Sequence, residues 1–432
     1  MATPSSLKDK VKPKEWDIMG KISLSTLDLS NRNLTELPNE LFELTELEAL
    51  DLTNNKNIDL SNELIKLTSL KLLCLDRCNL DTVPAVVMKL QQLETLILRS
   101  NKNITLPDEM CSLVNLTYLD LYSCDLMSVP AAVMKLSQLK GLRLSSNKNI
   151  ALPDEMCSLV NFTYLELANC GLDTLPSVVL KLLNLQELDL SHNTQISLPE
   201  ELCRLENIKV LTLFECNLLT VPPAVLNLTQ LEELDLCANR GIHLPDEMAG
   251  LTNIRVLKLC GVEMVTVPPV VGGLTQLEWL DLSFNPLQTL SAVIGQLTNV
   301  KHLMLSNCQL YTLPPEVGRL TQLEQLNLRD NQLQTLPTEV GQLISVNDLK
   351  VDGNPLIKPP AEVCRQGIDV IRQYFQELKR SDEKSRNRSV GSKTAVRTYP
   401  ADPDAPAAAY RCVLRQFDRT NIWVGHTKES HS

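Results

Sequence analysis

The sequence predicts an α/β solenoid in which a parallel concave sheet is joined by short convex helices or 3-10 turns, in about 15 coils of 23 residues. The first observation is a set of fifteen apolar residues that recur every 23 positions from Leu24 to Val346 without a slip in register. The second is a leucine three residues after each of them, from Leu27 to Leu349. The third is a polar or thiol side chain at a fixed place beyond these leucines, which indicates a repeated turn.

The strand of each coil is predicted from the alternation of apolar and other residues around the second leucine. In residues 116–121 (LTYLDL), Leu119 and Leu121 point to the interior, whereas Tyr118 and Asp120 point to the concave face. One coil cannot bury its own apolar side. Fifteen stacked coils would therefore share one continuous core.

The turn after each strand needs a side chain that satisfies buried backbone groups of neighbouring coils. Asparagine fills this position in eight coils and cysteine in five, while Arg32 and Val262 interrupt the series. The asparagines are Asn55, Asn101, Asn147, Asn193, Asn239, Asn285, Asn331 and Asn354, and the cysteines are Cys78, Cys124, Cys170, Cys216 and Cys308.

A short helix or 3-10 turn is predicted on the convex side of each coil, because a proline follows the turn in all but two coils. Proline suits a helix start, where no N–H donor is needed, and the glutamate that often follows suits the positive helix N-terminus. Asn-type and Cys-type coils alternate, and residues 106–119 recur almost unchanged as 152–165. This 46-residue period indicates the duplication of a coil pair.

The ends of the chain depart from the repeat. Trp16 and Ile18 could cover the first coil, and the last coil is followed by apolar residues at helical spacing, namely Ile368, Ile371, Phe375 and Leu378. Beyond residue 380 the sequence turns polar and then rich in proline and alanine. The predicted organisation is an N-terminal cap (1–23), the solenoid (24–364), a C-terminal capping helix (365–380) and a mostly disordered tail (381–432).

Composition and charge exclude several functions. The net charge of −11 falls on the repeats, since both ends are basic, and an acidic body disfavours nucleic acid and anionic membranes. No run of eighteen apolar residues predicts a membrane span. The odd number of cysteines and the lack of an apolar leader favour reduced thiols in the cytoplasm. The cysteine columns and the scattered histidines predict no metal, no cofactor and no enzyme; the oligomeric state stays open.

The concave face is the predicted site of partner binding. Aromatic residues are scarce in this chain, and six of the nine within the repeats fall at outward strand or strand-edge positions. A mostly acidic column lies between the core leucines and would favour a protein partner with a basic rim, although the acids could equally serve only to solubilise the sheet. The candidate residues are Tyr118, Asp120, Tyr122, Arg143, Tyr164, Glu166, Asp189, Phe214, Asp235, Trp279 and Phe284.

The unit L-x-x-L-x-L-x-x-N/C-x-L is the leucine-rich-repeat pattern. Residues 313–318 (LPPEVG) and the closing run 353–378 resemble the intracellular leucine-rich repeats of Ras-signalling scaffolds, of Scribble/Erbin-type polarity proteins and of Roco proteins. The resemblance covers about residues 24–378. It implies a cytosolic curved scaffold, a leucine-rich-repeat horseshoe, whose concave side binds proteins such as a Ras-class GTPase, a phosphatase or a kinase.

Two functions follow from these observations and from the resemblance. The first is a non-enzymatic cytoplasmic scaffold in intracellular signal transduction. The second is the recognition arm of a multidomain Roco-type GTPase or innate immune sensor without its catalytic part. Residues 387–394 (NRSVGSKT) depart from the phosphate-binding pattern G-x-x-x-x-G-K-[ST] at Asn387 and Ser392, so no GTPase chemistry is predicted within this sequence.

Overall fold

The computed structural model describes residues 25–391. The chain divides into one compact unit that ends at Gln376 and contains all the described coils, and a second unit that begins at Glu377. The predicted N-terminal cap, with Trp16 and Ile18, lies outside the described residues, as does everything beyond residue 391.

A single sheet of fifteen parallel strands runs through the first unit, and its strands follow one another in chain order. Each strand pairs with the next at an offset of 23 residues, as in Thr26 with Ala49, so the predicted solenoid is confirmed. Coil n is named here after its strand βn. The strands β1 to β15 are Thr26–Asp28, Ala49–Asp51, Leu72–Cys74, Thr95–Ile97, Tyr118–Asp120, Gly141–Arg143, Tyr164–Glu166, Glu187–Asp189, Val210–Thr212, Glu233–Asp235, Val256–Lys258, Trp279–Asp281, His302–Met304, Gln325–Asn327 and Asp348–Lys350.

Each coil returns through one short helical segment, as predicted. Twelve of these segments are 3-10 turns, and three are single α-helical turns: α1 (Pro223–Leu226), α2 (Pro269–Gly272) and α3 (Ala361–Cys364). The 3-10 turns are Asn39–Glu43, Asn62–Lys66, Val87–Lys89, Asp108–Ser112, Ala131–Lys135, Asp154–Ser158, Val179–Lys181, Glu200–Arg204, Asp246–Gly250, Ala292–Gln296, Pro315–Arg319 and Thr338–Gln342.

The proline of the repeat precedes most of these helical segments as their N-cap. Pro107 has an extended backbone (φ −70°, ψ 152°), and its carbonyl accepts the N–H of Met110 at 3.0 Å. The missing proline N–H costs nothing there, and the fixed φ of the ring suits the entry into the turn. Between this turn and the sheet lie the repeat leucines, such as Leu50, Leu73 and Leu96, which are all fully buried.

Asparagine at the turn position links its coil to the preceding one. Asn147 is fully buried, and its Nδ2 donates to the carbonyls of Leu121 at 2.9 Å and Leu144 at 2.7 Å. Its Oδ1 accepts the N–H groups of Cys124 and Leu126, both at 3.0 Å. One side chain therefore satisfies four backbone groups, three of them in the neighbouring coil.

Cysteine at the same position makes a weaker link. The Cys170 Sγ donates to the Leu144 carbonyl at 3.4 Å and lies 3.6 Å from that of Ala168. Burial raises the pKa of this thiol to about 11, which keeps it protonated as a donor. The cysteines of the turn column are thus internal structural groups, whereas Cys111, Cys157 and Cys203 are exposed. Among residues 25–391 no cluster of His, Cys, Asp and Glu is arranged to hold a metal.

The last coil is followed by a long helix, α4 (Ile368–Gly391). Ile368, Ile371 and Phe375 are buried on it, and the Phe375 ring lies 3.4 Å from where a side chain on Gly341 would begin. Arg372 Nη2 donates to the carbonyl of Leu343 at 2.6 Å, and also to those of Ile344 and Val346. These groups pack the start of α4 against residues 341–346, the segment that leads into β15.

The helix extends beyond the predicted boundary between the capping helix (365–380) and the tail (381–432). The helix starts at Ile368 rather than 365, and it continues past 380 to Gly391, where the predicted tail should be disordered. Residues 381–390 are polar but contain no proline or glycine. Apolar periodicity finds only the packed part of a helix, whereas a polar continuation depends on helix propensity.

Candidate functional site

The strand face consists of the first and third residues of each strand and of the residue two positions further on. In coil 5 these are Tyr118, Asp120 and Tyr122, while Leu119 between them is fully buried in the core. Because every strand is in register with the next, each of these positions forms a column across the sheet. Contacts between neighbouring coils on this face therefore join residues 23 positions apart, or 21 and 25 for diagonal neighbours.

Two tyrosines meet over a glycine. The rings of Tyr118 and Tyr164 lie 6.1 Å apart between centroids, with Gly141 in the strand between them. A side chain at Gly141 would begin 2.7 Å from the Tyr118 ring, so only glycine leaves the two rings this space. Burial raises the pKa of Tyr118 to about 12 and also that of Tyr164, whose hydroxyl donates to Glu166 at 2.7 Å.

A ladder of alternating charges runs past this pair. Arg99 Nε lies 2.5 Å from an Asp120 oxygen, Arg143 Nη1 lies 3.8 Å from the same atom, and Arg143 Nε lies 2.7 Å from Glu166. Asp120 is fully buried, which raises its pKa, while the hydrogen bonds from Tyr122 and Arg99 act in the opposite direction. Asp120 and Glu166 thus offer no free carboxylate to a partner, and instead they hold the two arginines in place.

A recess of about 440 Å³ opens beside this ladder, between Tyr122 and Phe214. The Arg143 guanidinium stands 5.0 Å over the centroid of the Tyr122 ring, and His192 packs against Phe214 edge to face at 5.0 Å. Ser145, Glu166, Asp189 and Ser191 also line the recess. Its ends are thus aromatic and its floor is polar.

The acidic column also has a local structural role. Asp189 Oδ1 accepts the N–H of Ser191 at 2.8 Å, and Asp51 and Asp281 accept from the residues two positions on at 2.8 and 2.9 Å. This bond satisfies a backbone donor where the strand ends and the turn begins. An aspartate after each core leucine is therefore explained by the backbone, and only its exposed members can also contact a partner.

Three of the predicted residues lie outside coils 5 to 9. Asp235 accepts the N–H of Cys237 at 3.0 Å and lies 3.8 Å from the Lys258 Nζ. Trp279 packs on His302 with centroids 4.7 Å apart, in coils 12 and 13. Phe284 is 61% exposed but sits one residue beyond the strand face, in a turn with φ of 60°. The remaining eight candidates meet across coils 5 to 9.

Sequence reasoning missed three residues that build this surface. Arg99 and Ser145 bond to the buried acids Asp120 and Glu166, with Ser145 Oγ donating to Glu166 at 2.7 Å. Gly141 makes the room for the tyrosines. The signal that finds them is the spacing of 21 or 23 residues from the predicted residues, which marks neighbours in the adjacent coil.

A separate finding concerns membranes. Within the described part of the chain, no helix has both the length and the apolar character needed to span a bilayer.

A single parallel sheet whose strands follow one another at 23-residue intervals defines a solenoid repeat protein. Family models described as a leucine-rich repeat region and a leucine rich repeat match residues 147–260 and 298–356. A solved leucine-rich repeat protein of Leptospira interrogans is 34% identical, with a TM-score of 0.58, over 79% of this chain and 93% of that one. The chain belongs to the leucine-rich repeat family, whose repeats generally serve as non-catalytic protein-interaction modules.

More distant structures share the fold alone. An internalin of Listeria monocytogenes is 21% identical with a TM-score of 0.50, over 71% of this chain and 88% of the internalin. The structure of the Drosophila Toll–Spätzle complex is similar over 82% of this chain and 50% of the matched chain, at 20% identity and a TM-score of 0.56. No curated protein matches the sequence.

Proposed function

We propose that this protein is a non-enzymatic cytoplasmic scaffold in intracellular signal transduction, and that its strand face binds a protein partner with a basic rim. The observation that carries the proposal is the recess between Tyr122 and Phe214, where aromatic ends enclose a polar floor. Amphipathic aromatic residues around a partly buried centre are typical of protein-binding hot spots.

The charge around the recess supports a basic partner. The strand face and following turn of coils 7 to 9 carry Glu187, Asp189 and Glu215 but no lysine or arginine. The nearest cations on the strand face are engaged with acids, since Arg143 Nε forms an ion pair with Glu166 at 2.7 Å and Lys258 donates to Glu233 at 2.6 Å. A lysine or arginine of the partner would find a carboxylate and the Phe214 ring together there.

The partner class rests on the resemblance of the repeats to those of Ras-signalling scaffolds. A small GTPase of the Ras class, or a phosphatase or kinase that acts with it, is the partner we propose. All twelve cysteines in the described residues are free, which supports a reducing compartment such as the cytoplasm.

The test is an affinity pull-down from cytosol with the full chain, compared with a Tyr118→Ala, Tyr164→Ala, Phe214→Ala triple variant and analysed by mass spectrometry. We expect the triple variant to lose the partner, with an affinity lower by at least about tenfold, because each truncated hot-spot aromatic costs about 1–2 kcal/mol. Circular dichroism checks that the solenoid stays folded. Tyr311→Ala is the matched control, since Tyr311 is 52% exposed outside the strand face.

A partner that the folded triple variant retains would place the binding site elsewhere on the molecule. A variant that loses the partner together with its circular dichroism signal would be replaced by the three single variants. If the wild-type chain captures no partner at all, the recognition arm of a multidomain Roco-type GTPase or immune sensor becomes the better hypothesis.

A further inference from the structure

Two cysteines stand side by side on the strand face of coils 10 and 11. Asp235 pairs with Lys258 in the sheet, so Cys237 and Cys260, two residues further on, face each other across neighbouring coils. The N–H of Cys260 donates to the Cys237 Sγ at 3.0 Å, and the N–H of Ala238 donates to the Cys260 carbonyl at 2.8 Å. Backbone hydrogen bonds therefore fix the two thiols in one register.

The other cysteines of the described residues lack this arrangement. Cys124 and Cys170 belong to the turn column, are fully buried and donate to carbonyls. Cys111, Cys157 and Cys203 are exposed on the convex turns, each two coils from the next. Cys237 and Cys260 alone occupy the same repeat position in adjacent coils within residues 25–391.

The two thiols are electrostatically unequal. The hydrogen bond from the Cys237 thiol lowers the pKa of the Cys260 thiol and raises that of Cys237. The Lys258 charge also favours a Cys260 thiolate, whereas burial and the carboxylates of Asp281 and Asp235 oppose it. Cys237 is buried and Cys260 half-buried, so the thiol with the better access to solvent is also the more acidic one.

We propose that Cys237 and Cys260 form a redox-active dithiol, in which hydrogen peroxide oxidises Cys260 and Cys237 then closes a disulfide between coils 10 and 11. Neighbouring parallel strands lie about 4.8 Å apart, which is within the range of Cα separations that a disulfide spans. The modification site is independent of the proposed partner and of the recess.

The chemistry proceeds in two steps. The Cys260 thiolate attacks one peroxide oxygen, the O–O bond breaks, and the leaving hydroxide takes a proton to give water and a Cys260 sulfenic acid. The Cys237 sulfur then attacks the Cys260 sulfur, the S–O bond breaks, and the Cys237 proton leaves with the hydroxyl as a second water. The thiol pair loses two electrons and two protons, and peroxide is reduced to two waters.

The test exposes the folded full chain to hydrogen peroxide and maps the cysteines by differential alkylation and mass spectrometry. We expect a disulfide that joins tryptic peptides 210–240 and 259–301, formed at least about tenfold faster than oxidation of Cys111, Cys157 or Cys203. In a Cys237→Ser variant, a dimedone-trappable sulfenic acid should persist at Cys260, because the resolving thiol is gone. In Cys260→Ser, both the disulfide and the fast phase should disappear.

In Cys237→Ser the hydroxyl can still accept the N–H of residue 260, and in Cys260→Ser that backbone N–H is unchanged. Both variants should therefore keep the wild-type circular dichroism and thermal midpoint. Oxidation of Cys260 no faster than that of Cys203 would overturn the proposal. The proposal would also be overturned if a Cys260 sulfenic acid formed rapidly in the folded wild-type chain but did not go on to form a disulfide with Cys237.

Discussion

Asn147 in coil 6 and Cys170 in coil 7 occupy the same position in neighbouring coils, but they hold the stack with unequal numbers of hydrogen bonds. Asn147 engages four backbone groups within 3.0 Å, whereas the Cys170 thiol reaches one carbonyl of the preceding coil at 3.4 Å. The backbone compensates, since the Asn149 N–H donates to the Cys170 carbonyl at 2.7 Å. Two residues that alternate at one repeat position are therefore different solutions to joining a coil to its neighbour.

The largest expected effect comes from removing the asparagine. Asn147→Ala leaves the Leu121 carbonyl and the N–H groups of Cys124 and Leu126 in the interior without a partner, and the Leu144 carbonyl keeps only the weak bond from the Cys170 thiol. Each unpaired buried group costs about 1–3 kcal/mol. We expect the free energy of unfolding to fall by roughly 3 kcal/mol or more. Local relaxation of the structure should relieve only part of the cost of the unpaired groups. Urea unfolding followed by circular dichroism measures it.

The matched control is Asn115→Ala. The Asn115 Nδ2 donates to the Gln91 carbonyl at 2.9 Å, but this bond is exposed, so water can replace the lost donor. Its loss should cost less than about 1 kcal/mol. If the two variants are destabilised equally, the four buried hydrogen bonds of Asn147 contribute no more to stability than the single exposed bond of Asn115, which would contradict the prediction.

The fold was predictable because its signal repeats. Fifteen apolar residues in register determine the sheet, and each coil reuses the same proline-initiated turn. The end of α4 was not predictable from the same signal, because a polar helical extension has no apolar periodicity. The predicted cap at residues 1–23 stays a prediction.

The candidate site was only partly predictable. Outward positions follow from the alternation along each strand, so the aromatic residues Tyr118, Tyr164 and Phe214 could be placed. Whether an acidic side chain is buried and paired could not be predicted, because Asp120 depends on Arg99 from coil 4 and Glu166 depends on Ser145 from coil 6. Burial of a carboxylate is a property of three adjacent coils, whereas a repeat pattern describes one coil at a time.

A smaller effect should follow when the cysteine is removed. Cys170→Ala loses one weak donor and a buried sulfur, and we expect a cost of about 1 kcal/mol in the free energy of unfolding. Val262, buried at the equivalent position of coil 11, has no polar side-chain group to donate, so a coil can stack without this bond. The same urea titration measures it.

Cys170→Val repeats what the chain already has at position 262 and serves as the control for side-chain volume. It should be at least as stable as Cys170→Ala. If Cys170→Ala instead costs as much as Asn147→Ala, the thiol contributes as much as four asparagine bonds, and the contrast between the two coil types is lost.

The smallest effect concerns the strand face. It tests whether the cost of burying a polar group there also depends on the partners that the group keeps. Burial, together with the nearby Asp120 and Glu166, raises the pKa of Tyr118 from 10.0 to about 12, while the charges of Arg143 and Arg99 act in the opposite direction. The unfolded chain loses this proton first. The stability that Tyr118 contributes is therefore complete below pH 10 and is lost as the pH rises towards 12.

Tyr118→Phe should remove this loss. The difference in the free energy of unfolding should stay below about 1 kcal/mol, because the ring is half-exposed. Near-ultraviolet absorbance should show one of the two late-ionising tyrosines, Tyr118 and Tyr164, disappear in Tyr118→Phe, whereas both should persist in Tyr311→Phe. If the free energy of unfolding depends on pH in the same way in the wild type and in Tyr118→Phe, the phenolate is stabilised on the strand face despite the adjacent carboxylates.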